Sequence, residues 1–319
     1  PCIVPPSARR LDCLPGPAPV HELLLRGPLL GVAIDQESLL APIPGDDPTG
    51  EDPRQDSSFS SPYQQLRDAR EEAMAVERVD KSAQVDESNR GFASDTGKWQ
   101  VVVDRASELL ATTAKDLEVT ALLIEGLART AGPAGLREGF ALARQLVETY
   151  WDGLHPRLDP GDPDSMEDRI SGFIGLNGSS QQGPLPRFIL QLPVTEDTAE
   201  GEYRCHQYNR AQQVSRTPDS EARDQMYASM GYSLEDIERA AASSNADFFV
   251  TMNAELAGSL EELAKLDEAF TAACGAEAPP VGMIRESLQT VVDAIQFLGR
   301  DKLAALAATE VLRARRAGD

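Results

Sequence analysis

The apolar positions of the chain recur with a helical period over most of its length. Trp99, Val102, Val103, Ala106, Leu109 and Leu110 fall at i, i+3, i+4 and i+7 spacings, which is one face of a helix. Leu117, Ala121, Ile124 and Ala128 make a second stripe, ended by Gly132-Pro133, with Arg129 in its last turn facing the helix dipole. Leu136, Phe140, Ala143, Leu146, Val147 and Tyr150 make a third stripe, which stops at Trp151. Between the first two, Thr113-Ala114-Lys115-Asp116 reads as a helix start with Asp116 at the third helical position. Both connections are short, so these helices are expected as antiparallel neighbours in one bundle.

Weaker patterns flank this centre. Asp35 to Leu40 allows one short helical turn, and the Pro/Gly/Asp-rich stretch 42–54 excludes regular structure. Tyr63 to Val79 reads as a charged helix whose Tyr63, Leu66 and Met74 give one narrow apolar stripe, and Asp80 to Gly97 as a polar loop. Tyr150-Trp151-Asp152-Gly153-Leu154-His155-Pro156 and the acidic turn after it form a corner between helices. Trp151 is expected there as a packing anchor, and Asp168-Arg169 as an ion pair or cross-helix brace. Ile170, Phe173 and Ile174 mark a short helix broken at Asn177-Gly178. Pro184 to Pro193 reads as a short strand or extended loop because proline brackets it, and Tyr203, Tyr208, Ala211 and Val214 suggest one further helix.

A second block opens at Thr217-Pro218, with Pro218 suited to a first helical position. Ser233 and Asp236 form a capping box before Ile237, Ala240 and Ala241. Phe248, Met252, Leu256, Leu260, Leu263, Leu266 and Phe270 hold one stripe over a long helix from Asp247 to Ala273, ended by Gly275 and Pro279-Pro280. Ile284, Leu288, Val291, Val292, Ile295 and Leu298 form its return partner, and Leu303 to Leu312 a last helix with Arg313, Arg315 and Arg316 at its C-terminus. Two helices rarely bury both faces alone, so self-association through this hairpin is expected. The pattern as a whole predicts an all-α chain: a Pro-rich, disordered leader over 1–34, a multi-helix bundle over 35–215, and a smaller helical-hairpin domain over 216–319 that serves oligomerisation.

Composition narrows the class. Lys and Arg number 30 against 52 Asp and Glu, a net charge of -22. Such a surface repels phosphate backbones and anionic membranes, which argues against nucleic acid as a partner. No run reaches the ~20 apolar residues of a membrane span. Cys2, Cys13, Cys205 and Cys274 are scattered, with no disulfide or zinc spacing, which fits a reducing, cytoplasmic setting.

The chain shows little that could carry catalysis. His21, His155 and His206 stand outside any HxxxH or HExxH pattern, and no GxSxG, dinucleotide or phosphate-loop motif occurs. Cys205 and His206 are adjacent, so on a helix they point to different faces. Neither the 42–54 loop nor the acidic turn fits a calcium loop, since Met166 breaks the register set by Asp162 and Asp164. No catalytic residue, cofactor or metal ligand is therefore expected. The competing readings are a helical scaffold of some other complex and a metal-dependent hydrolase built on the acidic corner 159–168.

Several of these residues, in this order, resemble a known family. The set comprises Pro44, Gly45, Asp46, Pro48, Gly50, Asp52 and Arg54 in the loop, Trp99, Lys115-Asp116-Leu117, Tyr150-Trp151-Asp152 with Pro156, and Asp168-Arg169. It resembles the ImpA N-terminal domain, which opens TssA-type components of bacterial type VI secretion systems. The resemblance covers residues 35–215, and 220–319 look like the middle domain of the same proteins. Pro53, Gln55, Ala114 and His155 depart from the usual residues of the family. The resemblance implies a non-enzymatic cytoplasmic assembly factor. Its partners would be proteins, namely baseplate, tail-tube and sheath subunits. It would dock through the first domain and self-associate through the second.

Overall fold

Short polar side chains set where the helices begin. The Asp35 carboxylate accepts from Ser38 N, Asp95 from Lys98 N, Asp116 from Val119 N and Asp219 from Glu221 N and Ala222 N. Each satisfies amides that the first helical turn leaves without partners. The computed structural model describes residues 34–82, 95–306 and 308. Most of the leader expected over 1–34, the middle of the expected 80–97 loop, and Arg313, Arg315 and Arg316 lie outside the described residues.

The fold is all-α. In chain order the helices are α1 (Gln36–Leu40), α2 (Pro62–Ser82), α3 (Thr96–Thr112), α4 (Leu117–Tyr150), α5 (Ser165–Asn177) and α6 (Pro184–Ile189). There follow α7 (Cys205–Ser215), α8 (Ser220–Met230), α9 (Leu234–Ser243), α10 (Ala246–Cys274) and α11 (Gly282–Leu298). Residues 300–306 are again helical.

Helix α4 is two arms. Gly132 has φ 58 and ψ −136, outside helical geometry, and Pro133 starts the second arm. A Cβ on Gly135 would lie 2.1 Å from Leu127 O, and one on Gly139 would lie 2.8 Å from Ile124 Cγ1. The arms fold back on each other so closely that only glycine fits at these crossings. The three apolar stripes of the centre thus become α3 and the two arms of α4, with Trp99, Leu110, Leu117, Ile124, Leu136, Phe140 and Leu146 all buried.

Helix α10 lies along the second arm of α4. Arg137 Nε donates to Glu255 Oε2 at 2.9 Å, and Arg144 Nε to Glu262 Oε2 at 3.2 Å. Both pairs advance by seven residues on both helices, so the two run parallel. Ser259 Oγ donates to Pro133 O at 2.8 Å, where the arms meet. The apolar core is continuous from Leu39 to Leu303. The stripe of α10 is therefore covered from within the chain, which removes the uncovered face on which self-association was argued. Its buried side also differs from the expected stripe. Asn253, Glu255 and Ser259 are buried with Phe249, while Phe248, Met252 and Leu260 are only half-buried.

Three local expectations are corrected. Residues Pro184–Ile189 are helical, neither strand nor extended: Pro184 sits in the first turn, where a proline's missing amide costs nothing. Pro218 precedes the cap Asp219 and lies before α8. Thr113 ends α3 and Asp116 is itself the cap of α4, because its carboxylate, one side chain long, reaches Val119 N at 2.9 Å. The capping box of Ser233 and Asp236 is present at α9.

Candidate functional site

The loop 42–54, the turn 113–117 and the corner 150–156 come together beside α4. Lys115 N donates to Thr49 O at 2.8 Å, His155 N to Lys115 O at 2.9 Å, and Leu117 N to His155 O at 2.9 Å. His155 Nε2 lies 3.0 Å from Gly50 O. Gly50 has φ 74, and a Cβ there would lie 2.0 Å from Thr113 O, so glycine is required for the loop to dock. Asp47 accepts from Thr49 N and Oγ1 and pairs with Arg157; the Thr49 hydrogen bonds foremost, and then Arg157, hold its carboxyl down at about 2.

Charged groups are turned inward at this knot. Arg54 Nη1 donates to Asp116 Oδ2 at 2.7 Å and Nη2 to Asp116 Oδ1 at 3.2 Å. It also meets Asp52 at 3.0 Å and Glu118 at 2.7 Å. Burial raises the pKa of the Asp116 carboxyl, and the Arg54 guanidinium opposes that shift. Tyr63 Oη donates to Glu118 Oε2 at 2.7 Å, and burial beside that carboxylate pushes the phenol up to about 12.

Two buried cations have carbonyls in place of carboxylates. Lys115 Nζ donates to Leu39 O at 2.7 Å and Leu110 O at 2.6 Å, tying α1 to the end of α3. Arg169 donates to Pro156 O at 2.7 Å, Trp151 O at 2.6 Å and Leu154 O at 2.9 Å, and its guanidinium lies 5.1 Å from the Trp151 ring centre. Burial lowers Lys115 to about 8 and Arg169 to about 10. The brace expected of Asp168-Arg169 is Arg169 alone, because Asp168 faces solvent one position along the helix. Tyr150 Oη donates to Leu40 O at 2.7 Å. Trp151 is half-buried, edge-on to Phe270 of α10 at 6.4 Å.

The motif residues therefore divide. Gly50, Arg54, Lys115, Asp116, Leu117, Tyr150, Trp151, Pro156 and Arg169 meet in this knot, with Asp52 at its edge. Trp99 is buried elsewhere, and Pro44, Gly45, Asp46, Pro48, Asp152 and Asp168 are exposed. In the acidic turn, Asp159 accepts from Gly161 N and Asp162 from Asp164 N, so these carboxylates close backbone turns.

Trp99 belongs to a second polar cluster that the apolar pattern hides. Its Nε1 donates to Glu77 Oε1 at 2.9 Å, and Arg129 Nε donates to the same oxygen at 2.6 Å. The Arg129 guanidinium stands 4.1 Å from the Trp99 ring centre and 4.7 Å from that of Phe188. Arg129 thus packs inward against Trp99 instead of only facing the helix end. Glu125 joins through Arg129 at 3.6 Å and also pairs with Arg70 at 2.6 Å. The available signal was a charged residue, Glu125, inside an apolar stripe.

Known proteins resemble this chain in sequence and in fold. A family model described as ImpA, N-terminal, type VI secretion system matches residues 40–178. A type VI secretion system component of Pseudomonas aeruginosa, TssA1, is 27% identical over 270 residues, covering 83% of this chain and 70% of that protein. Residues 40–178 thus match the ImpA N-terminal family, and the chain as a whole is similar to type VI secretion components. One solved domain of that family, the N-terminal domain of the TssA component from Burkholderia cenocepacia, superposes with a TM-score of 0.66 at 26% identity. The match covers 85% of this chain and 96% of that domain, so the family's fold extends past the residues of the family model. Among the described residues, no helix is long and apolar enough to cross a membrane.

Proposed function

We propose that the chain is a non-enzymatic assembly factor of a type VI secretion system, acting in the cytoplasm by docking to baseplate, tail-tube and sheath subunits. The observation that carries this reading is where the family motif puts its charges. Arg54, Asp116, Lys115 and Arg169 are spent on one another or on backbone carbonyls, so the motif builds a rigid support for a surface. A reacting group must reach its substrate with a proton or electron pair to offer, and these groups face inward. Self-association belongs to the same proposal. Since α10 is covered, it would use outer positions such as Met226 of α8 and Phe297 of α11, which are 43% and 47% exposed. The test is a pull-down with purified tube, sheath and baseplate subunits of the same secretion system. Retention of at least one supports docking, and retention of none opposes it.

A further inference from the structure

The 52 acidic residues of the chain are unevenly spread: none lies between Asp168 and Glu196, and none between Glu202 and Asp219. The fold joins these two acid-free segments. His206 N donates to Leu190 O at 2.9 Å, Cys205 N to Leu192 O at 3.0 Å, and Arg204 Nη1 to Gln191 O at 2.8 Å. At their seam opens a cleft of about 580 Å³ with Met74, Phe188 and Leu190 on its apolar side and Arg187, Gln191 and His206 at its rim. The one carboxylate in its lining, Glu77, is neutralised by Arg129 at 2.6 Å. Arg187 is exposed, donates through Nε to Gly183 O at 3.2 Å, and has no carboxylate partner among the described residues. Arg210, one turn beyond His206 on α7, is also exposed.

We propose that this cleft docks a segment of a protein partner that carries a carboxylate next to an apolar side chain. This deepens, and rests on, the docking role proposed above. A surface at net charge -22 repels an acidic partner nearly everywhere. The acid-free seam is where such a partner can land, so long-range electrostatics selects this face. The Arg187 guanidinium offers its two outer nitrogens to a carboxylate, a charge-assisted and bidentate contact. The apolar side of the cleft then takes a neighbouring Leu or Phe side chain as the buried anchor of the contact. A nucleic-acid backbone is disfavoured, since its phosphates would run on from this small patch over acidic surface.

The test uses the full chain and two fluorescein-labelled hexapeptides, Asp-Glu-Leu-Phe-Glu-Asp and its counterpart with every acidic residue replaced by Lys. The acidic peptide binds wild type, the Lys peptide does not, and Arg187→Glu weakens the acidic peptide by about tenfold or more. Arg187→Gln falls between, and circular dichroism confirms that both variants are folded. No binding of the acidic peptide at millimolar concentration overturns the proposal, as does equal binding of both peptides or an unchanged affinity in Arg187→Glu. Loss of self-association in Arg187→Glu, with no change in peptide binding, also overturns it and assigns the face to a second copy. The docking role stands or falls separately. Tail subunits that bind wild type and Arg187→Glu equally leave that role intact and remove the cleft from it. Peptide binding without subunit binding does the reverse.

Discussion

Arg54 grips Asp116 across 62 residues of sequence with two hydrogen bonds of 2.7 and 3.2 Å. Asp116 simultaneously caps α4 through Val119 N. One buried carboxylate therefore starts the first arm of α4 and fastens the proline-rich loop to it. Arg54→Ala leaves that carboxylate buried without its countercharge and is expected to cost about 3–5 kcal/mol. A double-mutant cycle with Asp116→Asn, followed by urea denaturation, isolates the coupling. Additive losses would show that the pair is incidental.

Lys115 gives the fold an alkaline signature. Burial lowers its pKa from 10.5 to about 8, so between those values the unfolded chain holds a proton that the folded chain has released. Its contribution to stability therefore rises as pH increases from 8 towards 10.5, and is constant below that window. The stability of wild type relative to Lys115→Met is expected to increase by about 2 kcal/mol between pH 7 and 9.5. Urea denaturation at the two pH values measures it, and an equal difference at both would contradict the assignment.

Trp151 anchors the corner less than its size suggests. Its indole is half-buried between Arg169 and Phe270, so a full cavity does not form on truncation. Trp151→Ala is expected to cost about 2 kcal/mol, below the ~3–5 kcal/mol of a fully buried aromatic. Thermal denaturation measures the change. A loss as large as that of Trp99→Ala would show that the corner is part of the main core.

Much of the fold was legible because it is local. The Trp99 stripe, the Gly132-Pro133 break and the Ser233-Asp236 cap each lie within a few turns of helix, where period and cap chemistry decide the outcome. What was hidden depends on distance along the chain. The parallel packing of α4 and α10 joins residues 118 apart, and Glu77 meets Arg129 over 52. An apolar pattern treats every charge as solvated, so it places Arg129 at a helix end facing the dipole and does not single out Glu77 or Glu125. It also could not say that Arg169, and not Asp168, holds the corner, since adjacent residues on a helix differ by about 100°.

Arg54, Lys115, Asp116 and Arg169 support the fold from inside, and Arg169 is the most telling of the four. Its guanidinium holds the carbonyls of Trp151, Leu154 and Pro156. Arg169→Met fills the space but leaves three carbonyls without donors, and is expected to cost about 3 kcal/mol or more. Arg169→Lys recovers only part of that, because an ammonium lacks the planar fork. The measurement is the urea midpoint of Arg169→Met against wild type at pH 7. A clearly lowered midpoint is expected. An unchanged midpoint would show that these residues do not support the fold and act instead as a contact surface.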